Sequence, residues 1–124
     1  MNFEQWKSDI EGRAREVKEV PRTLDLDNLL HQLVAVMERT EEMVDYHATA
    51  ENFAGAYYLL DGRIAFHKKE MSVLDPASRD FDIATTRYPE SFVNLLLDVN
   101  RVTIEYLEGL RAEIDAEVVA RKRA

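Results

Sequence analysis

Two apolar seams of different phase run through the middle of this chain and leave it few folds. From Leu24 onward, Leu26, Leu30, Leu33, Met37, Thr40, Val44 and His47 recur at alternating four- and three-residue steps, the spacing that lines one face of an α-helix. Phe53, Tyr57, Leu60, Ile64, His67 and Met71 repeat the rhythm out of phase with the first set. One straight helix cannot carry both phases, so the helix must overwind or the chain turn near residues 47 to 52, and a turn is the favoured reading. Residues 24 to 71 then form an antiparallel helical hairpin. Thr49 is the expected N-cap of its second arm, which runs to about Ser72. Asp61-Gly62 between apolar runs is a competing β-hairpin signal for residues 56 to 67. Helical phase continues through Gly62, however, and a lone two-stranded hairpin is only marginally stable, so helix is the favoured reading. Gly62 would then cost about 1 kcal/mol relative to alanine, which points to close packing or a kink there.

The flanks also read as helix. Phe3, Trp6, Ile10, Ala14 and Val17 share a face over residues 2 to 19, and Pro21 ends that helix because proline lacks the N–H a helix interior needs. Thr23 or Asp25 is a suitable N-cap for the central segment. Asp75-Pro76 predicts a short helix from Pro76 to about Thr85. After Pro89, Phe92, Leu96, Val99, Thr103, Tyr106 and Leu110 keep helical steps to about Arg121, roughly 45 Å of helix. That is longer than a compact domain of this size needs, so one end is expected to project.

The expected fold class is therefore all-α, a helical bundle with a central antiparallel helical hairpin and a long C-terminal helix, in one domain spanning residues 1 to 124. At 124 residues with 46% apolar content, such a domain can bury a core without staples. The absence of cysteine excludes disulfides, thiolate nucleophiles and Cys-ligated zinc. The polar, mixed-charge stretch Met1 to Ile10 does not read as a signal peptide, and no run approaches the roughly 20 apolar residues of a membrane span. The expected location is the cytoplasm, or a particle assembled there, with no membrane partner. A net charge of −8 argues against nucleic acid as a partner, since phosphates require basic surface.

The charge is unevenly placed. Residues 24 to 48 hold six acids (Asp25, Asp27, Glu38, Glu41, Glu42 and Asp45) against the single base Arg39, and so contribute −5. An antiparallel hairpin would set Lys68 and Lys69 beside Asp25 and Asp27. Glu38, Glu42 and Asp45 would share one face with no base from the hairpin opposite them, and like charges at that spacing weaken a helix by a few tenths of a kcal/mol per pair. The bland reading is a solvated acidic face with bases from the first or last helix nearby; the functional ones are a basic partner or a divalent cation. Glu38, Glu41, Glu42 and Asp45 supply oxygen ligands of the kind magnesium and manganese prefer. Glu38-x-x-Glu41 with Glu42-x-x-Asp45 resembles the first half of the all-helical nucleotide pyrophosphohydrolases similar to MazG. In that family a Glu-x-x-Asp follows one helix later, and here none does at the required distance. The resemblance implies a divalent-metal-dependent hydrolase as an alternative, with magnesium or manganese as its cofactor.

His31 and His67 fall near one another in the hairpin, but a zinc pair would need further ligands such as Asp27 or Glu70. Two partly buried seam histidines are the simpler reading. No nucleophile elbow or phosphate-binding glycine loop is present. Tyr57 and Tyr58 cannot both face one core, so one of them is expected at the surface. Arg121, Lys122 and Arg123 complement the negative end of the last helix and could grip an acidic patch on a neighbouring copy. Incomplete motifs, patches of opposite sign and an overlong last helix lead us to expect a non-enzymatic helical interaction or assembly protein. It would bind protein subunits in a homo- or hetero-oligomer, such as a viral or phage particle, through Glu38, Glu42, Asp45, Arg121, Lys122 and Arg123, with no catalytic residue and no cofactor. An acidic inhibitor that mimics nucleic-acid phosphates is a third reading.

Overall fold

The computed structural model describes residues 1–123, which form an all-α bundle of four helices: α1 (Phe3–Arg15), α2 (Leu26–Thr49), α3 (Phe53–Leu74) and α4 (Glu90–Arg123). A short 3-10 helix, Ile83–Arg87, lies in the connection between α3 and α4. No helix is long and apolar enough to cross a membrane among the described residues.

Neighbouring helices run antiparallel. Along α3 and α4 the Arg111 guanidinium meets Asp61 at 2.8 Å, and Arg121 meets Glu51 at 2.6 Å. Trp6 on α1 donates its indole N–H to Thr103 of α4 at 3.0 Å, and Arg13 further along α1 reaches back to Asp98 at 3.4 Å. The core sits where the seams converge, on Trp6 and Ile10 of α1, Met37 and Val44 of α2, Leu60 and Ile64 of α3, and Phe92, Tyr106, Leu107 and Ile114 of α4. α4 is about 51 Å long, yet its end does not project. Arg121 lies at the turn between α2 and α3, and the first turns of α4 are covered by the connecting segment, where Tyr88 packs on Phe92. The expected overhang is absent because α3 and its connection together match the length of α4.

The helical hairpin is present, with its turn at Ala50–Asn52. Asn52 N–H donates to His47 O and Glu51 N–H to Ala48 O, while Glu51 takes a left-handed conformation at φ 61°. These bonds make a Schellman C-cap. The cap of α3 is thus Asn52, whose side chain accepts from Gly55 N at 3.1 Å, and Thr49 is the last residue of α2. Residues 56 to 67 are helix throughout. Lys69 pairs with Asp80 of the connection at 2.8 Å, so the expected pairing of Lys68 and Lys69 with Asp25 and Asp27 does not form.

Two more boundaries differ from expectation. α1 opens on a reciprocal capping box between Asn2 and Gln5 but stops at Arg15, because Val17 and Val20 leave the helix to pack on the core and the residue before a proline avoids the helical region. Asp25 caps α2 through Asn28 N. The helix expected from Pro76 to Thr85 is replaced by turns and a 3-10 helix. Asp75 accepts from Ala77 N, Ser78 from Asp80 N and Asp82 from Ala84 N, and such local side-chain bonds divert the backbone from helix.

A methyl group at Gly62 or Gly109 would meet no neighbouring atom within 4 Å, whereas one at Gly55 would lie 2.7 Å from the Asn52 amide nitrogen and 3.0 Å from the His47 ring. The close packing expected at Gly62 is therefore found at Gly55. In urea unfolding, Gly62→Ala and Gly109→Ala should each raise stability by about 0.5 to 1 kcal/mol. Gly55→Ala should lower it by about 1 kcal/mol or more, through displacement of the Asn52 cap.

Candidate functional site

The acidic stretch of α2 divides by helical phase. Met37, Thr40, Val44 and Ala48 point into the core, which leaves Glu38, Glu42 and Asp45 exposed on the opposite side. Glu41 lies between the two faces, half-buried, and accepts the hydroxyl hydrogen of Tyr106 from α4. Tyr106 is 1% exposed; burial first, and then the Glu41 carboxylate, push its phenol pKa far above the ordinary value.

Glu4 from α1 joins this stretch. Together with Phe3 it lines a shallow cleft of about 190 Å³ with Glu38, Glu41, Glu42 and Asp45. No base lines that cleft, and none of the ion pairs among the described residues uses any of its five acids. The four carboxylates singled out as metal ligands thus share a cleft, with Glu41 engaged by a tyrosine. No group of three or more histidine, aspartate or glutamate side chains is placed to hold a metal ion among the described residues.

The basic cluster is likewise divided. Arg121 bridges Glu51 at 2.6 Å and Glu117 at 3.2 Å and lies 5.7 Å from the Phe53 ring centre. Lys122 and Arg123 beyond it are exposed. Arg121 is therefore committed to the turn between α2 and α3, and the two terminal residues carry the accessible positive charge.

The two histidines do not meet. His31 is exposed, in the groove between α1 and α2 beside Lys7, Glu11 and Glu38. His67 is 2% exposed, between α3 and α4, because α3 turns its seam toward α4 and away from the N-terminal half of α2. Its Nδ1 lies 2.8 Å from Asn100 Oδ1 and its Nε2 3.3 Å from Arg63 Nη2. A guanidinium can only donate, so Nε2 accepts and Nδ1 carries the proton, donated to Asn100. The Asn100 amide then donates to Leu96 O at 2.8 Å. His67 is thus a neutral, fully bonded imidazole, with a pKa lowered by burial despite the opposing Asn100 bond and lowered further by Arg63. Arg63 is half-buried over the Phe66 ring at 4.7 Å, its Nε has no partner and its pKa is lowered by burial.

The contribution of Glu4 and the links Tyr106–Glu41 and His67–Asn100 are not legible in the sequence, because each joins residues far apart in the chain with no motif between them. Of the two tyrosines, Tyr58 is the exposed one at 81%, while Tyr57 donates to Asp115. No protein-family model matches the chain, and comparison with curated proteins and with solved structures gives no significant match.

A folded His67 pKa below the unfolded value means that the unfolded chain binds the extra proton. The stabilisation this neutral imidazole contributes is complete above about pH 6.5 and is lost as pH falls below that value toward the folded pKa. Stability should therefore fall between pH 7 and 5.5, with a slope from this residue of at most about 1.4 kcal/mol per pH unit. Urea unfolding of His67→Gln across that range should show a distinctly flatter profile; an unchanged slope would assign the dependence to other groups.

Proposed function

We propose that the protein is a non-enzymatic helical interaction protein that docks the acidic face of α2 onto a basic surface of a protein subunit. The reading rests on one observation above the others: Glu38, Glu42 and Asp45 are exposed, and none of the ion pairs among the described residues uses them. Their mutual repulsion weakens α2 slightly, and a cationic partner would remove it. Tyr46, 67% exposed and one turn beyond Glu42, adds the kind of side chain that interfaces favour. Lys122 and Arg123 offer one such basic surface on a second copy. A larger homo- or hetero-oligomeric assembly, of which a viral or phage particle is one example, is the setting this surface suits.

The test is the triple variant Glu38→Gln, Glu42→Gln, Asp45→Asn. Sedimentation of the pure chain and affinity capture from its native extract should show assembly or partners that weaken with salt and are lost in the variant. The unfolding free energy of the variant should be unchanged or raised by a few tenths of a kcal/mol. Retention of every partner by the variant would refute the reading. Millimolar magnesium or manganese should leave the thermal midpoint where it is. A metal site at 100 times its dissociation constant would add about 2.7 kcal/mol, and such a shift, lost in Glu42→Gln, would instead favour the divalent-metal hydrolase.

A further inference from the structure

The N-terminal half of α2 is apolar but not sealed. No residue from Leu26 to Val36 is fully buried, and Leu29 and Val36 remain 38% and 40% exposed, although the sequence there is as apolar as in the buried half. A cavity of about 350 Å³ lies between this half of α2, the end of α3, the connecting segment and the first turns of α4. Leu29, Leu30, Leu33, Phe66, Leu95 and Val99 are among its walls. Its volume and apolar lining fall within the range of small-molecule sites.

The charged groups of the cavity are few and of one sign. His67 and Asn100 form part of the wall, but their hydrogen bonds go to each other, to Arg63 and to Leu96 O, so this part of the wall is neutral. The charged side chains that line the cavity are Glu70 and Asp82, and no lysine or arginine lines it. Glu70 is exposed and takes part in no ion pair among the described residues. Asp82, also exposed, accepts from Ala84 N with one carboxylate oxygen. An apolar chamber with two unneutralised carboxylates matches a ligand with a hydrocarbon body and one positive charge. An anionic amphiphile would meet like charge at the same place.

We propose that this cavity binds a small lipophilic amine, its hydrocarbon body among the leucine and phenylalanine side chains and its ammonium group at Glu70 and Asp82. At about 30 Å³ per water-sized group, the space admits roughly a dozen non-hydrogen atoms. The site lies apart from the acidic face of α2 and is independent of the function assigned to that face.

Three probes of one chain length separate body from charge: octylamine, octan-1-ol and octanoate, titrated at pH 7 by calorimetry and by thermal unfolding. Octylamine should bind one site and raise the midpoint, octanol should bind several-fold more weakly, and octanoate most weakly of the three. Glu70→Gln and Asp82→Asn should each weaken octylamine about threefold, as expected for solvent-exposed ion pairs, and leave octanol unchanged. Leu33→Phe, which fills the cavity, should abolish both; should that variant not fold, the two rim substitutions decide alone. Octanoate binding as tight as octylamine, octylamine affinity unmoved by both rim substitutions, or no binding of any probe would overturn the proposal.

Discussion

Three helices are fixed to one another where Trp6, Thr103, Tyr106 and Glu41 meet. The Trp6 and Tyr106 rings stack at 5.6 Å between centroids with 0% and 1% exposure, a large hydrophobic burial whose polar ends need partners inside the protein. Thr103 Oγ1 accepts the indole hydrogen and donates its own to Val99 O. Tyr106 hands its hydroxyl hydrogen to Glu41. The Trp6 indole N–H and the Tyr106 hydroxyl each find their acceptor on another helix, so α1, α2 and α4 cannot shift along one another without leaving a buried donor unpaired, a loss of about 1 to 3 kcal/mol per group.

Packing quality differs on the two sides of this junction. Toward the turn between α2 and α3, α2 buries Met37, Thr40, Val44 and Ala48. Toward its N-terminus it buries nothing completely, and the 350 Å³ cavity opens there. The charges divide along a different line. Asp61, Arg111 and Asp115, and then Glu51, Arg121 and Glu117, form two linked clusters along α3 and α4. Exposed pairs of this kind add little stability. Their consequence is electrostatic: Arg111 and Arg121 of α4 are held at its seam with α3 and the turn before it, and none of the ion pairs among the described residues takes up Glu38, Glu42 or Asp45 of α2.

Much of the bundle is legible in the amino-acid sequence. The out-of-phase seams call for an overwound helix or a turn, and the favoured turn is present; Asp25, one of two candidate caps, opens α2, and Pro89 immediately precedes α4, whereas α1 ends at Arg15, well short of Pro21. Errors arose where a local signal had two outcomes. Asp75-Pro76 is equally good chemistry for a helix cap and for a turn, and the turn prevails because Ser78 and Asp82 add further side-chain bonds to the backbone. Thr49 resembles a cap, but the left-handed residue that ends α2 is a glutamate, a type that gives no warning of a Schellman turn. Gly62 carries the local mark of a tight contact but faces open space, whereas Gly55 fills that role beside a cap at Asn52, three residues beyond Thr49.

The candidate surfaces divide in the same way. Exposure of Glu38, Glu42 and Asp45 followed from the sequence alone, because helical period fixes which side chains oppose Met37, Thr40 and Val44. The sequence likewise determined the all-helical class, the hairpin and the core faces, all of them set by period, capping and proline geometry within a few turns of chain. Only the tertiary structure decided that Glu41 serves Tyr106, that His67 turns to Asn100 and away from His31, that Arg121 closes on Glu51, and that α2 stands off from α3 and α4 over Leu30 and Leu33. These are contacts between residues 30 to 70 positions apart. Their existence depends on the rotation and register of whole helices, which many small packing contacts set together and no single local signal encodes.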